Sequence, residues 1–164
     1  MSRIVLFVVL FTLLLAGYES ARDTPFERFV VDHLTVGTAA RVIGAIDPTL
    51  AIRADGPRLM APGGGLVVLA GCEGMDVLLL LAAAMAASAM PWRARLAGLL
   101  AGTVLTFVLN QIRVVGLFYA FRMDRDLYSM LHGAVTPLAM AVLVGAFFVA
   151  WHGRFARPRA TATT

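Results

Sequence analysis

Residues 96–118 read LAGLLAGTVLTFVLNQIRVVGLF, an apolar run broken near its far end by Asn110, Gln111 and Arg113. A helix needs about 20 apolar residues to cross the hydrocarbon core of a bilayer, and about 17 suffice. The stretch therefore reads as a membrane span, and that decides the fold class. Arg113 lies about five residues from the end of the span, or about 7–8 Å at the helical rise of about 1.5 Å per residue. A charge at that depth costs at least about 2.5 kcal/mol on insertion scales unless it snorkels or is paired. Snorkelling to the interface is the bland account; a functional role with a partner inside the bundle is the favoured one. Asn110, one turn deeper, is placed to hydrogen-bond within the bundle.

Working outward, three more apolar segments stand at about residues 4–17, 71–90 and 133–151. The last two reach spanning length, while the first is marginal. Arg3 ahead of that first run, with small residues after it, also fits a cleaved signal peptide. No convincing A-x-A site follows, so a retained helix is favoured. The 164-residue chain is 60% hydrophobic and has a mean hydropathy of +0.82, outside the range of a soluble domain. The expectation is an all-α membrane protein. About four transmembrane helices form a single multi-pass domain over residues 1–164, joined by an outer-surface amphipathic helix and a small β-hairpin-like loop. The formal charge is +4 and every basic residue is Arg. These arginines are spread along the chain and two groups flank spans, so nucleic acid is not an expected partner, whereas the lipid bilayer is. A lone cysteine excludes an internal disulfide and dithiol redox chemistry. No Cys/His cluster has metal-site spacing, and no metal or organic cofactor is indicated.

Charge also sets the expected orientation. Arg93 and Arg95 lie between the second and third spans, Arg154, Arg157 and Arg159 follow the fourth, and Arg3 precedes the first. No acid occurs in those three places. The bias of Arg toward the cytoplasm puts both termini inside and residues 18–70 and 119–131 outside. This is the expected topology of a multi-pass membrane protein with a long outer loop.

The long outer segment has order of its own. Thr24, Pro25 and Glu27 read as a capping box with Pro at the first helical position. Phe26, Val30, Leu34, Ala40 and Ile43 follow roughly helical spacing, so residues 25–46 are expected as a helix on the membrane surface. Asp47 and Pro48 end it. Residues 50–54 and 58–61, joined across Asp55, Gly56 and Pro57, suggest a hairpin. Gly63, Gly64 and Gly65 read as a linker, and no phosphate-loop lysine follows them. Residues 157–164 are expected to form a disordered cytoplasmic tail.

Three reactive side chains fall at one predicted face. Cys72, framed by Gly71 and Gly74, enters the second span, where unpaired N–H groups and the helix dipole favour a thiolate. A buried, inert cysteine is an equal reading of that residue alone. His132 opens the fourth span and, taken alone, reads as an interfacial polar residue. With Arg113, however, a thiol, a guanidinium and an imidazole converge from three spans, the parts of a cysteine peptidase or transpeptidase. Glu73 and Asp76 suit a helix N-terminus and are also placed to pair with Arg113 or to orient His132. His152 is assigned to the opposite face, and His33 is a weak reserve.

The stretch Gly71, Cys72, Glu73, Gly74, Met75, then Asn110, Gln111, Ile112, Arg113, Val114 with Leu117, then His132, resembles the exosortase/archaeosortase family. The resemblance covers about residues 66–151, taken as the catalytic core. It implies an inner-membrane cysteine transpeptidase or peptidase whose site faces out, with Cys72, Arg113 and His132 as the catalytic set and Asn110, Glu73, Gly71 and Gly74 in support. It also implies secreted protein substrates with a C-terminal sorting tail: a short signature, a hydrophobic helix and a basic cluster. The short length is most similar to exosortase H-type proteins, which implies an IPTLxxWG-type tail. The chain departs from the family in lacking the N-terminal spans of many members and in carrying Glu at position 73, where Ser or Asn is more usual. Two non-enzymatic alternatives are a small membrane scaffold, which leaves Arg113 beside Cys72 unexplained, and a transporter or channel subunit. The latter calls for polar residues along the third span, where residues 96–109 offer only Thr103 and Thr106.

Overall fold

The computed structural model describes residues 2–68 and 71–156. Five helices follow in chain order: α1 (Arg3–Ser20), α2 (Pro25–Ile46), α3 (Met75–Ala87), α4 (Trp92–Met123) and α5 (Arg125–Phe155). Three short strands, β1 (Arg53–Asp55), β2 (Arg58–Ala61) and β3 (Gly64–Val67), lie between α2 and α3. Among the described residues, α1, α2, α4 and α5 are long and apolar enough to cross a membrane. The protein is thus an all-α multi-pass membrane protein with a small antiparallel sheet. The expected cytoplasmic tail at 157–164 lies outside the described residues.

The number of such helices agrees with the sequence, but their membership differs. The expected span over residues 71–90 contains a helix of only 13 residues, α3, about 20 Å long at 1.5 Å per residue, and the segment runs antiparallel beside α1, with Glu73 bonded to Tyr18 at one end and Ala87 to Arg3 at the other. The cause is local. Gly71 and Gly74 adopt φ of 89° and 79°, a left-handed backbone that glycine alone takes without cost, so residues 71–74 stay outside the helix. At the other end Ser88 is extended at ψ 162° and Pro91 caps α4. The fourth long apolar helix is instead α2, at the bounds expected for the surface helix.

Two apolar clusters divide the fold along α4. Near its N-terminal half, Val77, Leu81, Met85, Met140 and Val144 pack with Leu109, Phe147 and Trp151. Trp151 Nε1 donates to the Ala94 carbonyl at 2.9 Å, tying the end of α5 to the start of α4. The basic ends gather there: Arg3 Nη1 donates to the Ala87 carbonyl at 3.5 Å, and Arg95 Nη1 to the Ala86 carbonyl at 3.0 Å. Toward its C-terminal half, Val114, Leu117 and Phe118 pack against Val36, Ala39 and Ile43 of α2 and Leu59 and Leu66 of the sheet. Gln111 Nε2 adds a bond of 3.3 Å to the Leu34 carbonyl. Cys72 belongs to this second cluster, at the border with the first.

Several local expectations need correction. The capping box is not formed: the Thr24 hydroxyl donates to the Ala21 carbonyl, and Glu27 Oε2 accepts from the Asp23 N–H. The glycine stretch is not a linker, because β3 pairs with β2 in the register Leu59↔Leu66 and Met60↔Gly65. Burial of Leu59 and Leu66 outweighs the entropy cost of ordering the glycines. Both α2 and α5 contain π-helical turns, at Phe29–Gly37 and Leu131–Val135. In each, a threonine hydroxyl donates to the carbonyl five residues back, Thr35 to Val30 at 3.0 Å and Thr136 to Leu131 at 2.9 Å. The second π turn sits directly before Pro137, which has no N–H to continue an α-helical ladder.

Candidate active site

The three reactive residues come together from three elements. Cys72 lies in the bend between β3 and α3 and is 9% exposed. Arg113 projects from the buried face of α4 that also carries Thr106, Asn110, Val114 and Leu117, a spacing of three and four residues that puts them on one side of a helix. His132 comes from the π turn of α5. Arg113 Nη2 approaches Cys72 Sγ at 3.9 Å, and His132 Nδ1 lies 3.9 Å from the same sulfur. Guanidinium and imidazole thus flank one thiol.

Arg113 is only 8% exposed, yet no carboxylate pairs with it: the only ion pair among the described residues joins Arg22 to Glu19. Its second nitrogen, Nη1, meets Met140 Sδ at 4.0 Å, and Nε is buried with no partner among the described residues. A buried cation without an anion costs several kcal/mol. The guanidinium instead faces two sulfurs, and an ionised Cys72 would supply the missing charge.

The supporting residues are placed more unevenly. Gly74 packs so closely that a Cβ there would lie 3.2 Å from Asn110 Cγ and 3.3 Å from Met140 Cε. Asn110 is 1% exposed and packs against the bend that carries Cys72. Glu73 was placed to pair with Arg113 or orient His132. Instead, its Oε1 accepts a bond of 2.7 Å from the Tyr18 hydroxyl of α1. Asp76 is exposed in the first turn of α3. Asp124 caps α5 by accepting from the N–H groups of Asp126 and Leu127. The imidazole is held by stacking on Tyr128, with centroids 5.3 Å apart and planes 7° from parallel. His152 lies with Arg3 and Ser88 along an apolar groove, and His33 stands beside Phe29 on α2.

Tyr18, Tyr128 and Met140 were not singled out from the sequence. Tyr128 carried a usable signal, since it precedes His132 by one helical turn. Tyr18 carried none, as its partner is 55 residues away.

The family model for transmembrane exosortases matches residues 1–151. The chain belongs to the transmembrane exosortase family. That match takes in α1 and the whole N-terminal region as well as the motif-bearing spans. Neither the curated proteins nor the solved structures contain a significant match.

Proposed function

We propose that the chain is a membrane-embedded cysteine peptidase and transpeptidase. It cleaves the C-terminal sorting tail of secreted proteins at the outer face of the bacterial inner membrane and transfers them to an amine-bearing acceptor. The single observation that carries this reading is the sulfur of Cys72 lying 3.9 Å from both Arg113 Nη2 and His132 Nδ1. Family membership supports it.

Cys72 thiolate attacks the scissile carbonyl, and the carbonyl electron pair moves onto oxygen. Arg113 stabilises that oxyanion, as a preorganised charge does in a site shielded from water. His132 gives a proton to the departing amine, and the C–N bond breaks to leave a thioester on Cys72. An acceptor amine then loses a proton to His132 and attacks the thioester, which returns the thiolate. Water in place of the amine makes the same cycle a hydrolysis. The contacts of 3.9 Å suit an enzyme without substrate, since catalytic hydrogen bonds often shorten only in the reacting complex.

The supporting roles follow from position. Asn110 packs against Gly74 at the bend, and Gly71 gives the bend its left-handed entry. The tail's hydrophobic helix packs along the spans, and the apolar groove of about 430 Å³ between α1, α3 and α5, lined by Phe7, Leu81, Ala84, Val144 and Phe148 and lying toward the Arg3 and His152 end, offers one part of that contact. Both termini are cytoplasmic in this reading, and the short chain points to H-type tails of the IPTLxxWG kind. The test is co-expression with a secreted reporter bearing such a tail. Loss of the tail with the wild type and not with Cys72→Ala supports the reading. Equal behaviour of the two proteins, with the tail shown to be processed by another exosortase, contradicts it.

A further inference from the structure

We propose that Tyr18 is a positioning residue: its hydroxyl holds the Glu73 carboxylate against α1 and so keeps that carboxylate off Arg113. The inference rests on the reading of Cys72 and Arg113 as the reacting pair.

Glu73 follows Cys72 directly and is 7% exposed, while Tyr18 is 8% exposed. Between them runs a buried bond of 2.7 Å. Arg113 Nη2 meets the sulfur of the preceding residue, Cys72, at 3.9 Å, and Glu73 Oε2 and Arg113 Nε are both buried with no partner among the described residues. A carboxylate and a guanidinium in a low-dielectric setting attract strongly and favour a two-pronged pair. That pair is not formed. Glu73 faces Tyr18, and Arg113 faces the sulfurs of Cys72 and Met140. A guanidinium edge occupied by a carboxylate is not available to a developing oxyanion, so the Tyr18 bond selects the arrangement that the chemistry requires. Asn110 and Met140 close on Gly74 and hold the backbone, leaving rotation of the Glu73 side chain as the motion that Tyr18 prevents.

This makes α1 part of the working enzyme. Tyr18 stands near its C-terminal end, and Arg3 at its other end donates to Ala87 of α3. A leader removed after insertion would take the hydroxyl with it and release the carboxylate.

The experiment compares wild type, Tyr18→Phe, Glu73→Gln and the double variant Tyr18→Phe/Glu73→Gln, each full-length and monodisperse in detergent. Two quantities are read: kcat and KM on a tail-bearing reporter, and the rate of Cys72 alkylation across pH. Tyr18→Phe is expected to lower kcat by about 10- to 100-fold with little change in KM, the loss typical of one charge-assisted bond. It should also slow alkylation near neutral pH, because Arg113 turns from sulfur to carboxylate. Glu73→Gln in the Tyr18→Phe background should restore much of both, since a neutral amide does not compete for the guanidinium. Wild-type kcat and alkylation in Tyr18→Phe would overturn the proposal. So would a double variant no better than Tyr18→Phe, which would mark the hydroxyl as merely structural. Alkylation reports on the sulfur whether or not the reporter is a substrate. The expected alkylation pattern with no processing by the wild type would therefore sink the peptidase reading while supporting the role of Tyr18.

Discussion

Replacing Arg113 by Met separates a catalytic cation from a structural one. The guanidinium is 8% exposed, has no carboxylate partner among the described residues, and contacts sulfur atoms at 3.9 and 4.0 Å. Among these contacts only an ionised Cys72 would compensate the buried charge. In a Cys72→Ala background, where no thiolate is left unpaired, exchange of the guanidinium for an apolar side chain of similar length removes a desolvation cost of several kcal/mol. The double variant Arg113→Met/Cys72→Ala should therefore melt at or above the temperature of Cys72→Ala in detergent. Activity of the single variant Arg113→Met should move the other way. Loss of one preorganised oxyanion donor lowers kcat by about 10²–10³, equivalent to about 2.7–4 kcal/mol in the barrier. Arg113→Lys keeps the charge and loses the planar fork that reaches Cys72 and Met140 together, so it too should be impaired. The assay is reporter processing in isolated membranes beside a thermal melt of the same preparations. A double variant that melts well below Cys72→Ala, or an Arg113→Met protein that processes the reporter within about tenfold of wild type, would refute the argument.

Three further substitutions probe the rest of the site. His132→Ala should lower processing by about 10²–10⁴, the range for a positioned acid–base group, while membrane insertion, read by fractionation, is unchanged. Gly74→Ala forces a side chain into a left-handed backbone at φ 79° and against Asn110 and Met140; about 1–2 kcal/mol of stability should be lost, visible as a lower melting temperature. Tyr128→Ala removes the stack under His132, an aromatic contact worth about 0.5–1.5 kcal/mol. Processing should fall by roughly two- to tenfold and recover in Tyr128→Phe; equal rates in all three proteins would show that the stack does not hold the imidazole.

Most of the helical framework was legible because long apolar runs leave the backbone one economical solution in a bilayer. Residues 96–118 and 133–151 sit inside helices that run a few residues further, since polar ends such as Arg93 and Arg122 continue a helix without being apolar. The helix at 71–90 was over-read for the opposite reason. Hydropathy is blind to backbone handedness, and two glycines of positive φ hold Cys72 outside the helix, which begins only at Met75, without changing the apolar count. The third strand was missed because glycine weakens every local strand signal, while the burial of Leu66 against Leu59 that decides it is a tertiary event. Within the candidate site, Cys72, Arg113 and His132 stood out by chemistry: one thiol, one deep charge and one imidazole at similar depth. Their meeting at 3.9 Å is a property of the packed bundle. The fate of Glu73 was not readable. Sequence proximity pointed to Arg113, whereas the partner is a tyrosine on a helix 55 residues earlier.

The central claim is that Cys72 carries the substrate as a thioester. It is tested most directly by trapping that intermediate: membranes containing the enzyme and a tail-bearing reporter are quenched in acid, and the enzyme is digested and weighed by mass spectrometry. The account predicts the reporter's new C-terminus attached to the peptide bearing Cys72, released by hydroxylamine and absent from Cys72→Ala. Reporter cleavage that persists in Cys72→Ala, or an adduct on any other residue, would contradict it.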